Sequence, residues 1–513
     1  MINAAGRDIP ASIPGYHTVK PYRGPFATQP DGRMAGKKLA AFAPGRQKVL
    51  ASLEEAIEAS GLKDGMTISF HHSLRNGDYV INMMVEAIAR RGIKGLTLAP
   101  SSFLDNNDKI IPFIEQGVIT AVETSGARGK LGKYLTMQTP GKPTIIRSHG
   151  GRARAIEAGE LHIDVAFIAA PACDRYGNIN GVQGPAACGS MGYAMVDAAY
   201  ADTVVAITDN LVEGMLAPVS IPMTQVDYIV QVDCIGDPKG IASGSLRYTS
   251  NPRELLIADM AARVMEYSGY FKSGFGMQLG AGAASAAAGR FLREKMIKQN
   301  IKADFAIGGI LAPFVELLEE GLVKNMFDVQ DFDIRAIESL RDNPSHHEMS
   351  CSFYANPHNR GSIANQLDFV ILAATEVDVN FNVNVITDSN GVIMGASGGH
   401  SDASAGANCT IVVAPLLRGR LPMVIDNVQT IVTPGDSVDV IVTERGVAVN
   451  PKRADLLENL KHAGLPLMSI HDLKKIGYEM GGAPAPIKLS DEIVGVVEYR
   501  DGTVIDVIRR PVL

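Results

Sequence analysis

From residue 65 onward the chain alternates short apolar runs with longer stretches in which apolar positions recur every three or four residues. MTISF (66–70) and LTLA (96–99) have the length of strands, and VINMMVEAIARRGIK (80–94) between them carries one apolar face. Strand, helix, strand in that order predicts βαβ units and a mostly parallel sheet. The pattern occurs twice. Asp164 to Asn180 (DVAFIAAPACDRYGNIN) aligns without gaps on Asp368 to Asn384 (DFVILAATEVDVNFNVN), with six of seventeen positions identical. Each copy begins with a mostly apolar run suited to a buried strand and ends in Asp-x-x-x-Asn-x-Asn, where short polar side chains can tie down backbone amides. About a hundred residues upstream, MTISFHHSLRNGDYV to IKGLTLA and FGMQLGAGAASAAAG to IKADFAIG repeat strand, polar or glycine loop, helix, Ile-Lys, strand. We expect an arm over 1–45 and two related α/β domains, 46–238 and 239–513, each a largely parallel sheet flanked by helices, with the active site between them.

Local signals sharpen this outline. Asn251, Pro252 and Glu254 read as N-cap, N1 and N3 of a helix with Leu256, Met260 and Val264 on its apolar face and Gly269 at its stop. VGVVEYRDGTVIDVI (494–508) alternates on both sides of Asp501-Gly502, which predicts a hairpin capping a sheet edge. Residues 1–45, rich in Pro, Gly and basic residues, show no period and read as an arm that packs on the body or on a partner.

Composition adds exclusions. A chain of 513 residues with 46% hydrophobic and 20% charged residues has the makeup of a large globular core. Its formal charge of −7, without a basic block, argues against nucleic acid or an anionic membrane as partner, so an anionic substrate needs a local basic pocket. Five cysteines, odd in number and widely spaced, suit neither a disulfide framework nor a zinc ribbon. No signal-peptide core is evident near the start, and no run of about 18 apolar residues follows. A cytoplasmic protein is expected.

Three constellations carry candidate chemistry. Gly274 to Ser285 runs from a strand through Gly280 and Gly282 into an alanine-rich helix, where small residues let a ligand approach backbone amides; no Gly-Lys-Ser/Thr follows, so it is not a P-loop. Gly395-Ala-Ser397-Gly398-Gly399-His400-Ser-Asp402 can aim successive amides at one oxyanion, with His400 beside it. In the first domain, His71-His72-Ser-Leu-Arg75, Ser125-Gly-Ala-Arg128 and Arg147-Ser-His149-Gly-Gly-Arg152 follow strand ends and could converge on a polyanion, with a carboxylate-rich substrate a good fit. No metal-ligand spacing such as His-Glu-x-x-His is present, and no metal is expected. Glu376 is an isolated candidate nucleophile or base; Glu123 and Glu444 are similar, and Cys173 and Cys188 read as packing residues.

Together SFHHSLRNGD (69–78), SHGGR (148–152), CDRYGNING (173–181), FNVNVITDSNG (381–391), GASGGHSD (395–402) and TPGDSVDVIVTERGVAVNP (433–451) resemble the coenzyme A transferase superfamily, and within it the family of citrate lyase alpha subunits, from about residue 50 to the end. The resemblance implies exchange of acetyl for citryl on the thiol of an acyl carrier, acetyl-carrier plus citrate giving citryl-carrier plus acetate. It also implies two partner subunits, a lyase (beta) that splits the citryl thioester and an acyl carrier (gamma) bearing a coenzyme-A-like prosthetic group; no tightly bound cofactor is expected on this chain, and a homo-oligomer is. On this reading Ser397, Gly398, Gly399, His400, Asn382 and Asn384 serve catalysis. His72, Arg75, Arg128, Arg147 and Arg152 bind citrate, and Gly280, Gly282, Asn178 and Asn180 meet the carrier thioester. Many coenzyme A transferases use a glutamate just before the glycine loop; here Asn382 to Asp388 contains none, which favours direct exchange through a mixed anhydride, with Glu376 as reserve nucleophile. The alternatives are a covalent transferase or acyl-CoA hydrolase for another small acid such as citramalate, and a ligand-sensing or scaffold subunit.

Overall fold

The structure, a computed structural model, describes residues 1–28, 47–241, 249–280 and 282–512. Much of the expected arm, and Ala281 in the glycine turn, lie outside them. Two sheets organise the chain, and both grow outward from a central pair of strands. In the first, Thr67–Ser69 lies parallel to Val165–Ala169; Leu96–Leu98, Ile119–Thr124 and Thr144–Ile146 extend one side, and Thr203–Thr208, Tyr228–Gln231 and Val49–Leu50 the other. In the second, Gly276–Leu279 pairs in parallel with Phe369–Ala373; Ala303–Ile310, Val323–Asp331 and His346–Glu348 extend one side, and Cys409–Val413, Val440–Thr443 and Gly446–Val449 the other. The strands of the internal repeat, Val165–Ala169 and Phe369–Ala373, thus hold corresponding places. They read as unbroken apolar runs because helices cover both faces of a parallel sheet.

The Asp-x-x-x-Asn-x-Asn loops also correspond. Ala172–Asp174 and Glu376–Asp378 each form the middle strand of a small three-stranded sheet, with Ile179–Asn180 and Val383–Asn384 as their antiparallel neighbours. Asp174 Oδ1 accepts the amides of Tyr176, Gly177 and Asn178, and Asp378 Oδ1 accepts those of Asn380 and Asn382.

The helix Pro252–Tyr267 starts as expected, with the Asn251 side chain accepting the Arg253 amide, but Leu256 is exposed and Ile257 is buried in its place. The hairpin Leu489–Glu498 and Val504–Pro511 does cap an edge. It is an edge of the first sheet, since Leu489–Glu498 pairs in parallel with Thr144–Ile146, so the second unit cannot run unbroken over 239–513. Residues 1–28 pack on that hairpin: Ile9 and Ile13 join Val496, Val504 and Val507 in a small core, and Asn3 Nδ2 donates to the carbonyls of Val504 and Ile505. The main core runs through both lobes, joining Phe70, Phe167, Val370 and Leu372.

Candidate active site

Ligands in open parallel sheets lie beyond the carboxyl ends of the strands where the order reverses. Here the two reversal points face one another. The segment after Thr67–Ser69 contributes His72 and Arg75; Gly280 and Gly282 follow Gly276–Leu279, and Leu372 and Ala373 end the neighbouring strand. All of them line one cavity of about 350 Å³ between the lobes. Backbone bonds hold its walls together. Ser397 N donates to Ser125 O (2.7 Å), His149 N to Gly398 O (2.8 Å) and Ala127 N to Gly395 O (3.1 Å), and the Gln330 side chain donates to His72 O (3.0 Å).

Arg75 and Arg128 are the cations of this cavity. Among the described residues no carboxylate forms an ion pair with either, and none of those lining the cavity is Asp or Glu. Burial pulls the Arg75 guanidinium down to about 10, with Arg128 adding repulsion, and burial lowers Arg128 as well. Arg75 adopts φ +53°, an unusual conformation for a long side chain, and its guanidinium sits 4.5 Å from the centre of the Phe332 ring. That ring packs where a side chain at Gly309 would stand. Arg75 Nε is buried without a hydrogen-bond partner, as are Ser125 Oγ and His149 Nδ1. Unbonded donors around two cations form a site for a polyanion.

A stack of rings lines the same wall. His72 and Tyr193 are 4.6 Å apart between centroids, as are His149 and Tyr193. Burial, then neighbouring cations, pushes His149 down to about 3 and His72 well below its usual value, so both rings are neutral near pH 7. Beside His149, the amides of Gly398 and Gly399 donate to no group among the described residues. Gly398 has φ +56°, and a Cβ on Gly399 would land on the Tyr354 hydroxyl. Gly398 needs glycine for its left-handed backbone and Gly399 for the space the Tyr354 hydroxyl takes, and both leave a donor free.

Several expected residues lie elsewhere. Arg147 is enclosed by Glu498 (2.6 Å) and Glu123, which hold its pKa up against the effect of burial. Arg152 makes a two-pronged pair with Asp197 (2.7 and 2.9 Å) and donates to Ala99 O. The helix His149–Glu157 that carries Arg152 is capped from the second lobe, where Asp402 accepts Ser148 Oγ (2.8 Å) and Gly150 N (2.9 Å). These two arginines are spent on internal carboxylates and do not reach the cavity. Asn178 and Asn382 bond to Asp174 and Asp378 of their own loops; Asn180 donates to Pro218 O, and Asn384 holds Glu376 and the Ile386 and Thr387 amides. None of the four lines the cavity. Gly280 lines it, but its amide is committed to Ile371 O (2.7 Å).

His400 borders the cavity with both ring nitrogens engaged, Nδ1 with Thr433 Oγ1 (2.6 Å) and Nε2 with Ala373 O (3.0 Å). A carbonyl only accepts, so Nε2 carries the proton and Nδ1 accepts the Thr433 hydroxyl. The ring therefore braces the loop and has no free N–H for an oxyanion. Glu376 is 2% exposed and accepts from Asn384 Nδ2 and Gln429 N, away from the cavity lining. Glu123 and Glu444 are likewise bonded internally, to Arg147 and to Leu416 N. The sequence reading placed His149 and Gln278 in candidate loops without giving them a role, and named neither Tyr193 nor Gln330. His149 stood within SHGGR and Gln278 within GMQLG, but Tyr193 and Gln330 carry no local signal.

The family described as "Citrate lyase, alpha subunit (CitF)" matches residues 46–511. The chain belongs to the citrate lyase alpha-subunit family. The citrate lyase alpha chain of Klebsiella pneumoniae is 53% identical over 465 residues, covering 91% of this chain and 92% of that one. A solved alpha subunit of citrate lyase from Streptococcus mutans, in complex with citrate, superposes with a TM-score of 0.96 at 51% identity, covering 100% of both chains. The alpha subunit of a malonate decarboxylase from Acinetobacter baumannii, at 16% identity and a TM-score of 0.64 over 85% of this chain and 88% of that one, shares the fold. As a citrate lyase alpha subunit, the chain is the acyl-transferase component of that lyase and has the coenzyme-A-transferase-like α/β fold. Among the described residues no helix is long and apolar enough to cross a membrane.

Proposed function

We propose that the interlobe cavity exchanges acetyl for citryl on a carrier thiol without acylating the enzyme. A citrate carboxylate attacks the acetyl thioester carbonyl, the C–S bond breaks, and a mixed anhydride and a thiolate result. The thiolate then attacks the citryl carbonyl of the anhydride, and acetate leaves. One thioester replaces another, so no proton and no ATP are consumed. The observation that carries this reading is a pair of arginines without carboxylate ion pairs among the described residues, lining the same cavity as two glycine amides that donate to no group among them. Arg75 and Arg128 neutralise the citrate carboxylates that do not react, with neutral His72 and His149 beside them. Gly398 and Gly399 stabilise both oxyanions, where one lost donor typically costs about 10²–10³ in rate.

A cavity lined by no carboxylate among its described residues, with Glu376 bonded elsewhere, supports direct exchange over a glutamyl thioester. The partners on this reading are an acyl carrier subunit that brings the coenzyme-A-like thiol and a lyase subunit that splits citryl-carrier, in the cytoplasm. The test is acetate release by the isolated chain from acetyl-carrier with citrate or citramalate, with hydroxylamine or borohydride trapping alongside. Citrate-dependent release with unlabelled protein is expected. Label on Glu376 would overturn direct exchange, and faster turnover of citramalate would reassign the substrate.

A further inference from the structure

A second cluster of functional groups lies beyond the cavity wall, and acyl exchange does not use it. Asp328 and Asp331 end the strand Val323–Asp331, and His346 opens the neighbouring strand. Both aspartates are 0% exposed and His346 is 4% exposed. Each residue spends one atom on the protein. Asp328 Oδ1 accepts the Gln330 amide (2.7 Å), Asp331 Oδ2 accepts the Ser190 amide from the first lobe (2.8 Å), and His346 Nδ1 faces Ser339 Oγ (3.0 Å). Each keeps one buried atom with no hydrogen-bond partner: Asp328 Oδ2, Asp331 Oδ1 and His346 Nε2. The three residues offer ligand atoms that all lie within 4.8 Å of one another. His346 Nε2 stands 3.3 Å from Asp328 Oδ2, but outside hydrogen-bond geometry.

Two desolvated carboxylates whose basic neighbour is an imidazole are unfavourable unless a proton or a cation supplies positive charge, and the His346 nitrogen, without a hydrogen-bond partner and aimed at the same point, adds a donor pair. Among the described residues no lysine or arginine forms an ion pair with either aspartate, while half-buried Glu348, one strand over and bonded to Met191 N and Ser220 Oγ, adds more negative charge. We propose that Asp328, Asp331 and His346 form a binding site for one divalent transition cation, zinc or manganese. One nitrogen and two carboxylates suit these ions, whereas magnesium prefers oxygen and keeps several waters. The Ser339 hydroxyl, accepting from Nδ1–H, leaves the Nε2 lone pair for the metal, and the two backbone amides orient the carboxylates as outer-shell partners do. The ion is structural. Through Ser190 it ties the strand end to the first lobe, and it fixes Gln330, which bonds His72 O at the cavity wall.

The test uses the full-length chain produced with zinc and manganese in the medium and dialysed against metal-free buffer. Metal analysis is expected to find close to one equivalent per chain, falling more than tenfold in His346→Gln and Asp331→Asn. Because those variants can fold poorly, the unaltered chain is also stripped with a chelator. Its Tm should then fall by at least about 5 °C and recover on adding zinc or manganese alone, and cobalt(II) alone should give visible absorption bands. Less than a tenth of an equivalent in the unaltered chain, with a Tm that neither ion changes, would overturn the site and leave two carboxylates sharing a proton. Metal retained equally by the variants would place it elsewhere, and would overturn the site as well.

Discussion

Four arginines follow strand ends in the first lobe, and they fall into two pairs with opposite fates. Arg147 and Arg152 are enclosed by Glu498, Glu123 and Asp197, so their charge is settled within the fold. Arg75 and Arg128 are half-buried in the cavity with no ion-pair partner among the described residues. Residue type and sequence context are similar, so the carboxylates supplied by other segments, which also let Arg147 and Arg152 be fully buried, make the difference. Glu498 comes from the C-terminal hairpin and Asp197 from the helix Gly192–Tyr200. An arginine given a partner by its own chain holds the fold; one left without a partner waits for an anion.

This contrast breaks most visibly if the waiting pair is removed. Arg75→Met with Arg128→Met should lower kcat/KM for citrate by about 10³, since a hydrogen bond to a charged group contributes about 1.5–3 kcal/mol, while the melting temperature stays close to that of the parent. A double variant that unfolds early would show the pair to be structural after all. The reverse experiment is Arg147→Met, which leaves Glu498 buried and unpaired and should cost about 3–5 kcal/mol in denaturant unfolding. Adding Glu498→Leu should restore most of that loss. A normal unfolding midpoint for Arg147→Met alone would remove the distinction between the pairs.

The amides and the cations of the cavity can be separated next. Gly399→Ala drives a methyl group into the Tyr354 hydroxyl and displaces a free amide, so kcat should drop by about 10² with little change in citrate affinity measured by calorimetry. Equal losses in both would assign the loop to substrate binding. The smallest effect belongs to His400. Burial holds its pKa at about 4 against an ordinary 6.5, so the unfolded chain takes up a proton before the folded one does. Its contribution to stability is complete above pH 6.5 and is lost as pH falls toward 4. Replacing it in His400→Gln should make the fall in stability between pH 7 and pH 5 shallower, with kcat at pH 7 changed only a few-fold. A large loss of kcat at normal stability would return His400 to the chemistry.

The duplication was open to reading because a buried strand followed by an Asp-Asn loop is a local device. The apolar run, the aspartate and the amides it binds all lie within seventeen residues. The glycine at 398 was readable for a similar reason, since its left-handed backbone is set within a few residues, whereas Gly399 answers to Tyr354, 45 positions away. The same locality misled on the asparagines. A polar loop at a strand end looks catalytic until its side chains are seen bonding to their own turn. It misled on His400 too, whose partners Thr433 and Ala373 lie 33 and 27 positions away.

Fold class, the pairing of two related sheets and the identity of the glycine loop follow from periodicity and short-range hydrogen bonding, which operate on neighbouring residues and leave their mark in the order of amino acids. Which charges stay free does not. That choice depends on whether a segment hundreds of positions away delivers a carboxylate, as Glu498 does for Arg147 and nothing among the described residues does for Arg75. Electrostatic neutralisation acts through space, and only the folded chain brings the partners within reach.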